Sequence, residues 1–324
     1  MNRREFLTRG AAFCSAATLA PFLPAWAQEE TPQIPELKIT SITVSLPIER
    51  EFTALHISDS HLAYADDRDS EEKRARAEKR VEVFRGHPLE TLHAALSYAE
   101  EKGELLLHTG DMIDFVTAKN LDLTSEALAN RDCLLSAGNH DFYPMQGDGA
   151  VQNEEYKIGA IQDAQPFFPN DMRFCARVIN GVNFIAFDDA FYYVADDLID
   201  RFKAEAAKGL PIVAMCHCPL YTPELYKHCV ENRGDHVALI VGASDEEMAH
   251  YPESYFKRYR WGHDEQIATR AFVDYLRGEP LLKAVLCGHL HFPWQGRFSD
   301  TAAQYIAGAN FKGDVNEIKF VPTA

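Results

Sequence analysis

Basic residues are in short supply: 32 lysines and arginines stand against 49 acidic residues, a formal net charge of −17. No stretch gathers positive charge into a patch, which disfavours nucleic acid as a partner, because phosphate polymers bind through such patches. The run Asp66–Arg80 mixes both signs and reads as a solvated helix face. Also missing is an unbroken apolar run of the ~20 residues that a membrane span needs. The nearest approach, Ala11 to Ala25, is interrupted by Pro21 and Pro24, so no stable membrane anchor is expected. There is no internal repeat and no linker-like stretch. With 324 residues and 46% hydrophobic content, the chain can bury a sizeable core, as one large domain or two small ones.

The first 27 residues read as a targeting segment. Arg3-Arg4-Glu5-Phe6-Leu7 is a twin-arginine pattern, the mildly apolar run follows it, and Ala25-Trp26-Ala27 offers a small-x-small cleavage site. Such signals resemble those of the bacterial route that exports folded proteins, so the twin-arginine machinery is an expected partner and the periplasm or exterior the expected location. Residues 1–27 carry three arginines and one glutamate, so their loss would take the charge from −17 to −19. Cys14 would leave with them. Of the six remaining cysteines, Cys133, Cys216 and Cys287 sit in or beside apolar runs and read as buried thiols. If any pair is bridged, Cys218 with Cys229 is the pair expected.

From residue 28 the pattern is strand, helix, strand. Residues 37–46 alternate as a strand and Phe52–Ser58 make a second. Asp66–Phe84 reads as a charged helix. Pro88–Lys102 reads as an amphipathic helix stopped by Gly103. Strands over 105–107 and 133–135 flank a short helix at 125–129. Residues 142–175 look loop-rich. A hairpin turning at Asn180-Gly181 joins strands over 173–178 and 182–187. A helix over 196–208, a strand over 211–215, a helix over 264–277 and a strand over 284–287 follow, then two or three closing strands before Val321. Residues 219–262 lack a clear period and read as an insertion over the site. The alternation predicts an α/β layer fold with its site at the carboxyl ends of the strands.

Those strand ends are crowded with chemistry. Asp59-x-His61, Gly110-Asp111-x-x-Asp114, Gly138-Asn139-His140-Asp141, His217 and Gly288-His289-x-His291 each follow an apolar run. Burying one unpartnered amide alone costs on the order of 2–7 kcal/mol, so these groups need partners, and a metal centre would supply them. Carboxylates offset cationic charge, and imidazoles select transition metals over Mg²⁺ or Ca²⁺.

In type and order, the five motifs closely resemble those of the calcineurin-like metallophosphoesterases, over residues 52 to about 310. The resemblance implies a four-layer α/β/β/α sandwich over residues 28–324 and two divalent transition-metal ions, with Mn, Fe, Zn, Co and Ni all open. It implies one ion held by Asp59, His61, Asp111 and His291, and the other by Asp111, Asn139, His217 and His289. His140 would protonate the leaving oxygen or stabilise the transition state, with Asp114 orienting it. Asp141 reads as a turn carboxylate. The implied reaction is hydrolysis of small phosphate mono- or diesters by metal-hydroxide attack on phosphorus. Tyr143, Tyr192, Tyr193, Arg260, Trp261, His263 and Trp294 are candidates for the substrate wall. An exported nuclease, and a metal-binding recognition module without turnover, are the alternatives.

Overall fold

A computed structural model describes residues 36–147, 149–150, 152–233, 240–248 and 263–323. The targeting segment 1–27, Arg260 and Trp261 lie outside the described residues. In chain order the strands are β1 (Lys38–Leu46), β2 (Phe52–Ile57), β3 (Leu105–Thr109), β4 (Cys133–Ser136), β5 (Phe174–Ile179), β6 (Val182–Phe187), β7 (Ile212–Met215), β8 (Leu282–Cys287), β9 (Trp294–Arg297), β10 (Ala303–Ile306) and β11 (Asp314–Pro322). The helices are α1 (Glu71–Val83), α2 (Pro88–Lys102), α3 (Ala118–Leu128), α4 (Glu154–Ala164), α5 (Asp196–Ala206), α6 (Pro223–Arg233), α7 (Asp245–Met248) and α8 (His263–Gly278).

Two sheets result, ordered β1-β11-β2-β3-β4 and β5-β6-β7-β8-β10-β9. Within them β2, β3 and β4 run parallel, as do β6, β7, β8 and β10. The period of two along each strand sorts apolar side chains to opposite faces. Leu105, Leu107 and Leu134 of the first sheet meet Phe184, Val213, Met215 and Leu286 of the second in a central core. Leu106 and Leu135 point the other way, toward Leu92 and Leu96 of α2 and Leu121 of α3. Ile185, Phe187, Ala214 and Val285 face Phe202 of α5 and Phe272 of α8. Strands buried on both faces by helices on one side and a second sheet on the other give four layers, α/β/β/α. Each fully buried Leu or Phe stabilises this arrangement by roughly 1.5–3 kcal/mol.

Local signals explain the boundaries. Pro88 opens α2, and Gly103, at φ 67, closes it in the left-handed region where glycine carries no Cβ penalty. The helix expected from Asp66 starts instead at Glu71, because Asp66–Asp69 form a turn and Ser70 caps the helix by accepting from Lys73 N. The short helix expected at 125–129 runs from Ala118, capped by Thr117. The loop-rich reading of 142–175 is corrected by α4. It lacks an apolar stripe, since its buried residues are Lys157, Ala160 and Ala164, but Asn153 caps it. The Cys218–Cys229 bridge is not formed; both residues are buried in the apolar layer beside the second sheet. Leu220, Leu225, Ile240 and Val241, from the segment read as an insertion, join that layer. Among the described residues no helix is long and apolar enough to cross a membrane.

Candidate metal centre

The carboxyl ends of β2, β3, β4, β7 and β8 carry the five motifs to one edge of the sandwich. Turns there are tight. Asp59 (φ 56), His61 (φ 49), Asp111 (φ 55), His289 (φ 69) and His291 (φ 55) all have left-handed backbones. For non-glycine residues each such conformation costs on the order of 1–3 kcal/mol and persists where surroundings over-determine it. Here neighbouring loops do so. Asp59 N and His61 N donate to Gly110 O and Asp111 O, both at 3.0 Å, and His289 N donates to Asp59 Oδ2 at 2.9 Å. Gly288 is required by close approach: a Cβ there would lie 1.7 Å from Ser58 Oγ and 2.6 Å from Asp59 Oδ2.

The donor atoms converge in two groups that share one residue. Asp59, His61, Asp111 and His291 form the first, and Asp111, His217 and His289 the second; within each, one donor atom per residue lies within 4.8 Å of the others. Asp111 Oδ2 is 3.6 Å from His61 Nε2 and 3.2 Å from His217 Nε2. His61 Nε2 and His291 Nε2 are 3.0 Å apart, and His289 Nδ1 is 3.2 Å from His217 Nε2. Two outward ring nitrogens are occupied, His217 Nδ1 by Thr109 O at 2.7 Å and His289 Nε2 by Tyr192 Oη at 3.0 Å, while His61 Nδ1 faces Asp114 Oδ1 at 3.5 Å without a hydrogen bond. Two acceptors, Asp59 Oδ1 and Asn139 Oδ1, are buried with no hydrogen-bond partner. Buried acceptors are almost always satisfied, so Asp59 Oδ1, 3.1 Å from His291 Nε2, fits a cation at the first group, and Asn139 Oδ1 is a second orphan one residue before His140. The mixed oxygen and nitrogen donors suit two transition-metal ions, whose identity the donors leave open.

Electrostatics agree. Burial pushes the Asp59 carboxyl up, but His291, His61 and His217 outweigh it and hold the group well below the usual carboxylate range. Burial lowers His61 and His217, yet their carboxylate neighbours win: Asp114, Asp59 and Asp111 raise His61 to about 9, and Asp111 with Asp59 raises His217 to about 10. Without metal, both rings therefore hold a proton at neutral pH that a cation must displace. Metal uptake should release protons and tighten about tenfold per pH unit for each proton displaced, until pH passes about 9 to 10. Calorimetric titrations of metal-free protein in two buffers of different ionisation heat check this; a binding heat independent of buffer would contradict it.

A third cluster, His61, Asp114 and His140, overlaps the first. It is a hydrogen-bonded relay, because Asp114 is already engaged. Arg80 donates to it from Nε at 2.6 Å and from Nη2 at 2.8 Å, and Asp114 Oδ1 and its backbone oxygen lie 2.8 and 2.9 Å from His140 Nδ1. Arg80 corrects the solvated-face reading of Asp66–Arg80: one residue of that run turns inward onto the centre. Nothing in its charge-rich surroundings marks it. Phe84, one turn on, stacks on His61 with centroids 4.4 Å apart. Asp141 is fully buried and accepts from Asp111 N, Ile113 N and Gly138 N, so it ties two motif loops together. Burial and Asp111 push it up to about 7. Asp189, which the sequence left without a role, accepts from His217 N at 2.9 Å and Cys218 N at 3.1 Å.

The candidate wall residues fall in different places. Tyr143 is buried, its Oη accepting from Asn139 Nδ2 at 3.1 Å. Tyr192 is buried against His289, and Tyr193 donates to Glu154 Oε2. Trp294 is half-buried on β9, paired with Ile306 of β10 and packed against the apolar layer beside the second sheet. His263 is the first residue of α8.

A search of curated proteins returns no match. Solved structures similar to the chain include a dimetal phosphatase from Danio rerio (14% identity, 81% of this chain and 88% of that chain, TM-score 0.42). A calcineurin-like phosphoesterase, YfkN, from Bacillus subtilis is 12% identical over 81% of this chain and 82% of that chain, with a TM-score of 0.40. A phosphopantetheinyl hydrolase, PptH, from Mycobacterium tuberculosis is 13% identical over 80% and 90%, with a TM-score of 0.39. The sequence profile of the calcineurin-like phosphoesterases matches residues 52–293, most of the chain and every motif whose donors converge here. The protein therefore belongs to the calcineurin-like phosphoesterase family, and is a metal-dependent phosphoester hydrolase.

Proposed function

We propose that the protein is exported and hydrolyses small phosphate mono- or diesters at a dinuclear centre. The observation that carries the reading is the sharing of Asp111 by two donor groups. Asp59, His61, Asp111 and His291 would hold one cation, and Asp111, Asn139, His217 and His289 the other. When bound, the pair would supply an activated water and neutralise phosphoryl charge.

The chain's own side chains do the rest. Asp114, clamped by Arg80, holds a proton on His140 Nδ1 and so fixes the ring. That leaves Nε2 to hold a proton for the departing ester oxygen. The 17% exposure of the His140 side chain, beside a fully buried Asp114, is consistent with a ring edge that reaches substrate. The surplus of acidic residues supports small phosphoesters over nucleic acid polymers. Export is supported by Arg3-Arg4 and Ala25-Trp26-Ala27.

Hydrolysis of p-nitrophenyl phosphate and bis(p-nitrophenyl) phosphate tests the reading. Metal-reconstituted protein should turn over at least one of them, EDTA should abolish the activity, and added metal should restore it. Absence of turnover with every divalent metal of the series Mn, Fe, Co, Ni and Zn would refute it.

A further inference from the structure

The loop after β6 is strained, and the reaction itself does not use it. Phe191 (φ 65) and Tyr192 (φ 68) are consecutive non-glycine residues in the left-handed region. Strain of this kind needs restraint on both sides, and the restraint is visible. Asp188, fully buried, accepts from Lys157 Nζ at 2.8 Å and from Ala190 N at 2.9 Å. Lys157, itself buried, also donates to Ala190 O at 3.0 Å and lies 4.3 Å from the centre of the Tyr193 ring. Asp189 holds the backbone of His217 and Cys218. Between these anchors the turn delivers the Tyr192 hydroxyl to His289 Nε2 at 3.0 Å, with the two rings edge-on and 5.5 Å apart.

We infer that the Asp188–Tyr193 loop is a positioning device for the second metal position alone, in which the Tyr192 oxygen accepts the His289 Nε2 proton. That fixes the tautomer, so the Nδ1 lone pair points toward Asp111 and His217. Lys157 serves the same end by neutralising Asp188 and pinning the turn. The loop touches His217 through Asp189 and His289 through Tyr192, two donors of one group, whereas Asp59, His61 and His291 belong to the other. The inference rests on the two-metal reading, and its consequence is specific: removing one phenolic oxygen should weaken one cation and spare its neighbour.

The test is Tyr192→Phe, with metal affinity as the readout. Metal-free wild type and variant are dialysed against buffered Mn²⁺ over a range of free concentrations, and bound metal is measured by elemental analysis. Thermal melts of the two metal-free proteins establish that both are folded. Wild type should take up two equivalents. The variant should keep the tighter or weaker step that His289→Ala retains, and lose about 10–100-fold in the other. Unchanged affinity at both positions, or equal weakening of both, would overturn the inference while leaving the dinuclear reading intact. Wild type that binds no metal would overturn the dinuclear reading and this inference with it.

Discussion

Asp111→Asn should empty both cation positions and reduce phosphoester hydrolysis to background. The substitution keeps shape and changes only charge and donor character. Oδ1 accepts the His140 backbone N–H at 2.8 Å, a bond that the amide oxygen can keep. The second atom then becomes an NH₂ group where Oδ2 now lies 3.6 Å from His61 Nε2 and 3.2 Å from His217 Nε2. A donor there cannot ligate a cation, and both groups lose their common anion at once. Elemental analysis after dialysis should fall from two metals per chain toward none. Stability of the metal-free protein should move too. His217 stands at about 10, above its ordinary 6.5, with Asp111 the largest cause that raises it. A group raised in this way contributes stability that is complete below 6.5 and lost as pH climbs through about 10. Breaking a buried ion pair costs on the order of 3–5 kcal/mol. Urea unfolding of metal-free Asp111→Asn should therefore show its largest deficit near pH 6 and convergence with wild type near pH 10. A variant that keeps two metals and full turnover would remove Asp111 from the centre.

What the sequence made legible follows from how this site is built. Each donor motif follows a strand buried on both faces, so an apolar run ending in Asp, Asn or His stands out against its own neighbours. The β2 run Phe52–Ile57 leads to Asp59, and the β8 run Leu282–Cys287 leads to His289 and His291. Parallel strands then bring distant motifs to one edge without further information. Residues that act from behind carry no such contrast. Arg80 lies in a helix rich in both charges, and only its contact with Asp114 separates it from Arg74 and Arg76, which are half-buried as it is. Lys157 was hidden because a buried lysine removes the apolar stripe that would have betrayed α4, although Asn153-Glu154-Glu155, a cap followed by acids in the first turn, was a usable signal. The double aspartate after β6 was visible as Asp188-Asp189, but its two roles depend on Lys157 and His217, 31 and 28 residues away. Tyr192 was visible as an aromatic near the site, but its contact with His289 Nε2, 97 residues away, was not.

His140→Ala should lower kcat by about 10²–10⁴ with both metals still bound. His140 is adjacent to Asn139, yet its ring points to Asp114 rather than into either donor group, with Nδ1 held 2.8 Å from Asp114 Oδ1. Removing the ring leaves Asp114 satisfied by the two-pronged contact with Arg80, so no buried charge is stranded and the fold should tolerate the change. The size of the rate loss should depend on the leaving group. p-Nitrophenolate departs without help, whereas an alkoxide must be protonated as the ester bond breaks. If His140 is the proton donor, the loss should be several-fold to tenfold or more greater for an alkyl phosphate than for p-nitrophenyl phosphate. Equal losses on the two substrates would assign the ring to stabilising charge on phosphorus, and no loss on either would exclude it from the chemistry. Asp114→Asn sharpens the comparison. It leaves His140 in place but removes the carboxylate that holds Nδ1–H, and it strips Arg80 of its anionic partner. Its rate should fall less than that of His140→Ala, its stability more, and its metal content should stay near two, because Asp114 contacts the first metal group only through the outward nitrogen of His61.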